Sequence, residues 1–227
     1  MSFFDRLKNE AALEWRAYTE HAFVAGMADG SLPAASFRRY LVQDYLFLIE
    51  FARAYALAIY KAPRLKEMRE AASGLSAILD VEMNLHVKIC AGWGLAPNDL
   101  ENATPAAETL AYTRYVLDTG MRGDLLSLKV ALSPCVIGYA EIATSLRGRS
   151  DGCSSSNPYR AWIEEYAGAP YQEVASNARA QLNHLAELYL TPTREAELIT
   201  IFKDATRLET DFWGMGLRVA NATLEVS

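Results

Sequence analysis

Apolar side chains recur every three or four positions along most of the chain, which is the spacing of amphipathic helices. Capping residues, prolines and glycines divide this pattern into successive helices. The predicted helices cover about residues 2–30, 33–63, a stretch ending at 94 with a potential break near 73–74, 105–119, 124–146, 157–168, one that starts at 170, and 191–220. The sequence has no alternating apolar and polar runs between hairpin turns, so it requires no strands. We therefore predict an all-α protein.

The predicted helix 124–146 is apolar nearly all round, so we expect it in the protein interior. Its most apolar part, residues 130–140, is shorter than the ~20 residues that cross a bilayer. The low-complexity patch at residues 149–157 is typical of a surface loop. No repeat, linker or charge block divides the chain. A single domain over residues 1–227 is therefore predicted.

Composition indicates a packed globular protein. Of the 227 residues, 51% are apolar and 22% charged, which excludes a disordered or collagen-like chain. The 22 Lys and Arg against 28 Asp and Glu give a net charge of −6, which is unfavourable for binding nucleic acid or an anionic membrane. Three cysteines and a charged N-terminal segment do not fit a secreted, disulfide-linked protein. We expect a cytoplasmic protein with free thiols and neither of those partners.

Two acidic residues interrupt helical stripes that are otherwise apolar. Asp44 lies in the stripe of the second predicted helix, and Glu209 lies in that of the last. Because an unpaired carboxylate is costly to bury, Asp44 either pairs with Arg38, Arg39 or Arg53, lies at the edge of its stripe, or is a working group. A carboxyl in an apolar cavity has a raised pKa and can act as a general acid near neutral pH.

Cys135 follows Pro134 inside the most apolar helix, and Tyr139 lies one turn later. Because Pro134 has no backbone N–H, we expect a kink beside the thiol. A lone cysteine on an apolar helix is most often a packing residue. The kink, the tyrosine and the two candidate acids elsewhere make Cys135 a candidate functional residue, whereas Cys90 and Cys153 are interpreted as a packing residue and a loop residue.

Aromatic residues are abundant, and most of them must fill the core. A subset of them could also sandwich a planar heterocycle. These are Phe47, Tyr112, Tyr115, Tyr139, Tyr159 and Tyr166.

Metal-binding motifs are not found in the sequence. Helical di-iron sites use Glu-x-x-His pairs, which none of the three histidines completes. Glu82 precedes His86 by four residues, so the two could meet, although a hydrogen bond at the edge of the core is the commoner outcome. Zinc, P-loop and dinucleotide signatures are lacking, and a papain-like pair with His184 lacks its local signature. We expect no metal and no cofactor.

Several segments resemble motifs of the TenA family (thiaminase II, aminopyrimidine aminohydrolase) and occur in the family's order. They are residues 21–24 (HAFV), 30–33 (GSLP), 37–48 (FRRYLVQDYLFL), 131–139 (ALSPCVIGY), 157–166 (NPYRAWIEEY) and 209–215 (ETDFWGM). The resemblance implies a haem-oxygenase-like helical bundle without haem, a homotetramer, and a role in thiamin salvage. The implied reaction is hydrolysis of 4-amino-5-aminomethyl-2-methylpyrimidine to the hydroxymethyl pyrimidine and ammonia, with thiamin cleavage as a related activity.

The resemblance also implies roles for individual residues. Cys135 matches the family's nucleophile, and its presence places the chain in the cysteine-containing branch, while Glu209 matches the proton donor. The positions that match the pyrimidine-binding pocket are Asp44, Phe47, Tyr112, Tyr139 and Tyr166. Two alternatives stay open: a non-catalytic pyrimidine-binding or regulatory protein, and a haem-oxygenase-like di-iron oxidase, which the missing Glu-x-x-His motifs disfavour.

Overall fold

The computed structural model describes residues 1–149, 152 and 154–224, and all regular secondary structure in them is helical, which confirms the all-α prediction. The helices are α1 (Phe3–Glu10), α2 (Ala12–Thr19), α3 (Ala22–Asp29), α4 (Ala34–Lys61), α5 (Leu65–Ser76), the π-helical segment Ala77–Glu82, α6 (Met83–Gly92), α7 (Pro97–Glu101), α8 (Ala107–Arg122), α9 (Leu125–Arg147), α10 (Arg160–Tyr166), α11 (Ala169–Tyr189) and α12 (Pro192–Leu224). Cys153 and its loop interpretation lie outside the described residues.

The chain forms two compact units. Unit 1 contains Met1–Pro33 and Lys129–Gly214, and unit 2 contains Ala34–Leu128 and the residues from Met215 onward. A single domain over residues 1–227 stays a prediction.

In unit 1, the prediction of one helix over residues 2–30 is wrong, because three short helices occupy this range. Ala11 leaves helical geometry at φ −104° and ψ 26°, which ends α1. His21 then caps α3, since its Nδ1 atom accepts a hydrogen bond from the Phe23 amide at 3.2 Å. A periodic apolar pattern continues across such corners, so it does not reveal them.

The core of unit 1 between α1, α2 and α12 is aromatic. Trp15 stacks on Phe202 with 5.6 Å between ring centroids, and Phe4 meets Trp15 edge-on at 5.8 Å. The Trp15 indole donates to Glu141 at 3.2 Å, which gives the polar edge of this buried ring a partner.

In unit 2, α4 agrees with the predicted helix 33–63, but two predicted glycine boundaries are wrong. The helix α5 passes through Gly74, where a Cβ atom would overlap the Tyr55 ring. The helix α8 passes through Gly120, where a Cβ atom would lie 2.7 Å from Leu57. Both glycines therefore allow close helix packing rather than ending a helix. The irregularity predicted near residues 73–74 occurs later, as the π-helical segment, and α7 was not predicted.

The helix α9 agrees with the predicted helix 124–146 and is buried, as expected. Its 23 residues are long and apolar enough to cross a membrane by length and composition, and 89% of its most apolar window is buried inside the protein, as in a core helix. The helix continues through Pro134. Pro134 has no N–H to donate to the Val130 carbonyl. The Ser133 hydroxyl donates to that oxygen at 2.8 Å, so the carbonyl still has a hydrogen-bond partner.

We expect Gly138→Ala to destabilise the protein. A Cβ atom here would overlap the buried Tyr18 ring and lie 2.8 Å from its hydroxyl oxygen. This overlap should lower the free energy of unfolding in urea by about 1–3 kcal/mol. Gly92→Ala, where a Cβ atom would meet nothing within 4 Å, is the matched control and should change it by less than about 1 kcal/mol. Equal stabilities of the two variants would contradict this packing argument.

Candidate active site

Four of the predicted site residues lie in unit 1. Cys135 and Tyr139 are on α9, Tyr166 ends α10, and Glu209 is on α12. All four are buried, with Cys135 9% exposed and Glu209 1% exposed. The prediction that Glu209 faces inward is therefore confirmed.

An aromatic stack joins the helices that carry these residues. Tyr139 stacks on Trp213 with a centroid distance of 5.4 Å and an interplanar angle of 29°. Tyr139 lies one turn after Cys135, and Trp213 lies one turn after Glu209. Because side chains four residues apart share a helix face, the stack brings together the face of α9 that carries the thiol and the face of α12 that carries the carboxyl.

Tyr166, which was predicted from the segment 157–166, joins the same stack. Tyr166 lies 5.3 Å from Tyr139 and 4.6 Å from Trp162, measured between ring centroids. Trp162 in turn lies 5.7 Å from Tyr139. Three aromatic rings from α9 and α10 therefore hold one another in place beside the Cys135 turn.

Tyr18 of α2 packs against the backbone of that same turn. Gly138 allows the ring to approach, and the Tyr18 hydroxyl donates to the Pro134 carbonyl at 3.4 Å. On its other side, Tyr18 stacks on Trp213 at 6.3 Å. The turn that carries Cys135 is thus fixed by both a ring contact and a hydrogen bond.

The other three predicted site residues lie in unit 2. Asp44 and Phe47 are three residues apart on α4, and Tyr112 is on α8. The rings of Phe47 and Tyr112 are 5.0 Å apart, and both are buried. Asp44 and the two aromatic residues therefore belong to one cluster of α4 and α8.

Among the described residues Asp44 pairs with no arginine, so the arginine alternative is wrong. The carboxyl is 3% exposed, and its Oδ2 atom accepts a hydrogen bond from the Tyr40 hydroxyl at 3.1 Å. The same oxygen lies 3.4 Å from His86 Nδ1. Two of the three candidate arginines have other partners, since Arg38 donates to the Gly94 carbonyl and Arg53 pairs with Glu50.

Burial dominates the ionisation of this cluster. It raises the pKa of Asp44 to about 7, although the hydrogen bond from Tyr40 acts in the opposite direction. It lowers the pKa of His86 to about 4. It also raises the pKa of the Cys90 thiol to about 12, with Asp44 adding to the effect, so Cys90 is a packing residue rather than a thiolate. Between the pKa values of Asp44 and His86, at about pH 5.5, the aspartate is therefore mainly protonated and the histidine mainly neutral.

A buried glutamine holds the start of α8, which carries Tyr112. The Gln43 side-chain oxygen accepts from the Ala106 amide at 2.8 Å and from the Thr109 hydroxyl at 2.6 Å. Its nitrogen donates to the Thr104 carbonyl at 3.1 Å. Ala106 cannot cap a helix itself, so a side chain of α4 satisfies the first turn of α8.

Sequence reasoning missed His86 as a site residue and considered it only for a contact with Glu82 or for metal binding. In the structure its ring contacts Leu41 and Asp44 of α4 instead. No sequence spacing relates residue 86 to residue 44, because they lie on different helices. Among the described residues, no group of three or more His, Cys, Asp and Glu side chains could hold a metal ion.

Solved structures define the class of this fold. A domain of unknown function from Shewanella denitrificans with a haem oxygenase-like fold superposes with a TM-score of 0.78 at 10% identity, over 99% of this chain and 96% of that one. A TenA family transcription regulator from Silicibacter sp. TM1040 superposes with a TM-score of 0.90 at 42% identity, over 95% and 96% of the two chains. The chain is therefore an all-helical protein with a haem-oxygenase-like fold.

Sequence comparison then gives the family. The model of the TENA/THI-4/PQQC family matches residues 9–219, and the chain belongs to this family. It is also 40% identical to the aminopyrimidine aminohydrolase of Halalkalibacterium halodurans over 95% of both chains. The resemblance to TenA proteins is thereby confirmed.

The raised pKa of Asp44 predicts how Asp44→Asn changes stability with pH. The folded protein retains a proton on this carboxyl that the unfolded chain, with a pKa near 3.8, releases. The stability that Asp44 contributes is therefore full below about pH 4 and is lost as the pH rises through about 7. The free energy of unfolding of Asp44→Asn relative to wild type should thus rise by about 2 kcal/mol between about pH 5.5 and pH 8.5.

Urea unfolding at both pH values measures this change. His86, whose folded pKa is lowered, contributes a slope of opposite sign, but it is present in both proteins. Asp118→Asn, at an exposed aspartate of α8, controls for the substitution itself. If the stability difference between Asp44→Asn and wild type does not depend on pH, the pKa of Asp44 is not raised and the prediction is wrong.

Proposed function

We propose that this chain is a thiamin-salvage hydrolase that converts 4-amino-5-aminomethyl-2-methylpyrimidine and water to the hydroxymethyl pyrimidine and ammonia. The observation that carries the proposal is the Tyr139–Trp213 stack, because it joins the helix faces of a candidate nucleophile and a candidate acid. The name of the Halalkalibacterium halodurans relative supports the substrate class.

In the proposed mechanism Cys135 is the nucleophile. Its sulfur forms a bond to the pyrimidine carbon next to the carbon that bears the aminomethyl group. Electrons from the ring then expel the amine, and Glu209 donates the proton that makes it ammonia. Water adds to the exposed methylene carbon and gives a proton back to Glu209. The electrons pass into the ring, and the carbon–sulfur bond breaks to release Cys135 as the thiolate. The position of Glu209 supports its role, because it is buried on the helix face that the Tyr139–Trp213 stack brings together with the face of Cys135.

The remaining residues bind the ring. Asp44 is proposed to face a ring nitrogen and the amino group, where a carboxyl can stabilise the protonated ring that accepts the thiolate. Tyr139 and Tyr166 fix the orientation of the ring, and Phe47 and Tyr112 supply apolar surface for a planar heterocycle. Thiamin contains the same aminopyrimidine, so its hydrolysis by the same residues is part of the proposal.

Cys135→Ser tests the nucleophile. A serine hydroxyl is a far weaker nucleophile than a thiolate, so we expect the rate of ammonia release from the aminomethyl pyrimidine to fall by at least about 100-fold. Cys90→Ser, the same change at another buried thiol, is the matched control and should retain more than about a tenth of the rate. Equal rates of Cys135→Ser and wild type would remove Cys135 as the nucleophile.

Glu209→Gln tests the proton donor with two substrates. Ammonia must leave the pyrimidine with an added proton, whereas the thiazolium ring of thiamin leaves as a neutral thiazole and needs none. We expect kcat for the aminomethyl pyrimidine to fall by about 100- to 10,000-fold, and kcat for thiamin to fall less. The measurement is kcat on both substrates at one pH. An equal loss on both would show that Glu209 does not act as the leaving-group acid.

A regulatory protein that binds aminopyrimidine without turnover is the second candidate. It is favoured by the Silicibacter relative, which is described as a transcription regulator. This alternative requires ligand binding with no ammonia release, so the same assay separates it from the hydrolase.

A homotetramer and a cytoplasmic location belong to the proposal as well. The homotetramer is supported by exposed apolar side chains on α5 and the π-helical segment, because such surfaces mark contacts between chains. Those side chains are Leu65, Met68, Leu79 and Val81.

A further inference from the structure

His86 is a buried ring that the proposed mechanism does not use. It is 3% exposed, and its Nε2 atom lies 2.8 Å from the Leu41 carbonyl oxygen of α4. Its Nδ1 atom lies 3.4 Å from Asp44 Oδ2. Leu41 and Asp44 are three residues apart, so one imidazole ring spans a single turn of α4.

The contact with Leu41 determines which ring nitrogen carries the proton. A carbonyl oxygen can only accept, so Nε2 must be the donor. In the neutral imidazole, Nδ1 then has a lone pair, and this lone pair faces the Asp44 carboxyl. His86 therefore offers an acceptor to a protonated Asp44.

The contacts of Asp44 all use the same oxygen. Tyr40 donates to Oδ2 at 3.1 Å, and His86 faces Oδ2 as well. Within the part of the chain that the structure describes, Oδ1 makes no hydrogen bond. The protein thus holds the carboxyl by one oxygen and leaves the other available to a ligand.

The position of His86 depends on the π-helical segment that precedes it. Residues 77–82 form this segment between α5 and α6, and His86 lies on the first turn of α6 after it. A π-helical turn is wider than an α-helical one, so it resets the direction in which later side chains point. Such segments are frequent at functional sites.

We propose that His86 is a positioning residue that holds Asp44 by Oδ2, so that Oδ1 is presented as the acceptor for the amino group of the aminopyrimidine. This inference rests on the proposed function. It assigns His86 an effect on substrate binding, exerted through Asp44, and no contact with the reacting atoms.

Two substitutions of His86 separate its two contacts. His86→Gln places an amide nitrogen near the position of Nε2, so it keeps a donor for the Leu41 carbonyl but loses the group that faces Asp44. His86→Asn places its amide near the position of Nδ1, so it keeps a partner for Asp44 but loses the contact with Leu41. His184→Gln is the control, because His184 is half-exposed on α11 and pairs with Glu187.

The experiment measures kcat and KM for ammonia release together with the thermal unfolding midpoint. We expect His86→Gln to raise KM by about tenfold with kcat changed less than about threefold, because the loss concerns binding. His86→Asn should restore KM to within about threefold of wild type, whatever its unfolding midpoint. In an Asp44→Asn background, His86→Gln should raise KM no further, because the two residues act as a unit.

Three outcomes would overturn the inference. KM unchanged in His86→Gln, with a lower unfolding midpoint, would make His86 a purely structural residue. The same increase in KM with and without Asp44 would show that His86 acts independently of it. A wild-type protein that releases no ammonia would overturn the proposed function and this inference with it, whereas an active wild type with unresponsive His86 variants would overturn the inference alone.

Discussion

The burial of carboxyl groups on apolar helix faces is the constraint on which the rest of the site depends. A charged carboxylate taken out of water needs compensating partners or must hold a proton. Asp44 meets this requirement with the Tyr40 hydroxyl, with the His86 ring and with a pKa raised to about 7. The helices α4 and α6 are consequently joined by polar contacts whose geometry is specific, which apolar packing alone would not provide.

In unit 1, aromatic packing holds the helices of the candidate site together. Trp213 of α12 stacks on Tyr139 of α9 at 5.4 Å and on Phe23 of α3 at 4.9 Å, so one indole ring connects three helices. Aromatic side chains have few rotatable bonds, and a cluster of them restricts the rotamers of its neighbours. The proposed nucleophile and the proposed acid, carried on such a framework, would need little reorganisation during a reaction, which is the condition for electrostatic catalysis.

The sequence predicts the helices of this protein well and their corners poorly. The long helices α4 and α9 follow from apolar spacing and capping residues. The sequence predicts a potential break near Gly74 and a helix end before Gly120, because glycine is unfavourable inside a helix, yet both residues lie inside helices where another helix approaches too closely for a side chain. That requirement comes from tertiary structure and has no local signal.

The candidate site, too, is predictable from the sequence only in part. Inward acids at positions 44 and 209 are visible from periodicity, since each interrupts an apolar stripe and both are buried. The partner of Asp44 is not visible, because His86 lies on a different helix and no sequence spacing relates the two residues. Sequence reasoning offered an arginine as one alternative for Asp44, and the structure supplies tyrosine and histidine instead.

The hydrogen bonds of Gln43 have a consequence for the order of folding. The first turn of α8 has no capping side chain of its own and relies on an amide carried by α4. Initiating a helix is the unfavourable step of its formation, and here the group that assists it is more than sixty positions away in sequence. The helix α8 is therefore expected to gain its stable start only after α4 has formed and the two have docked, which makes it a late element of folding rather than a nucleus.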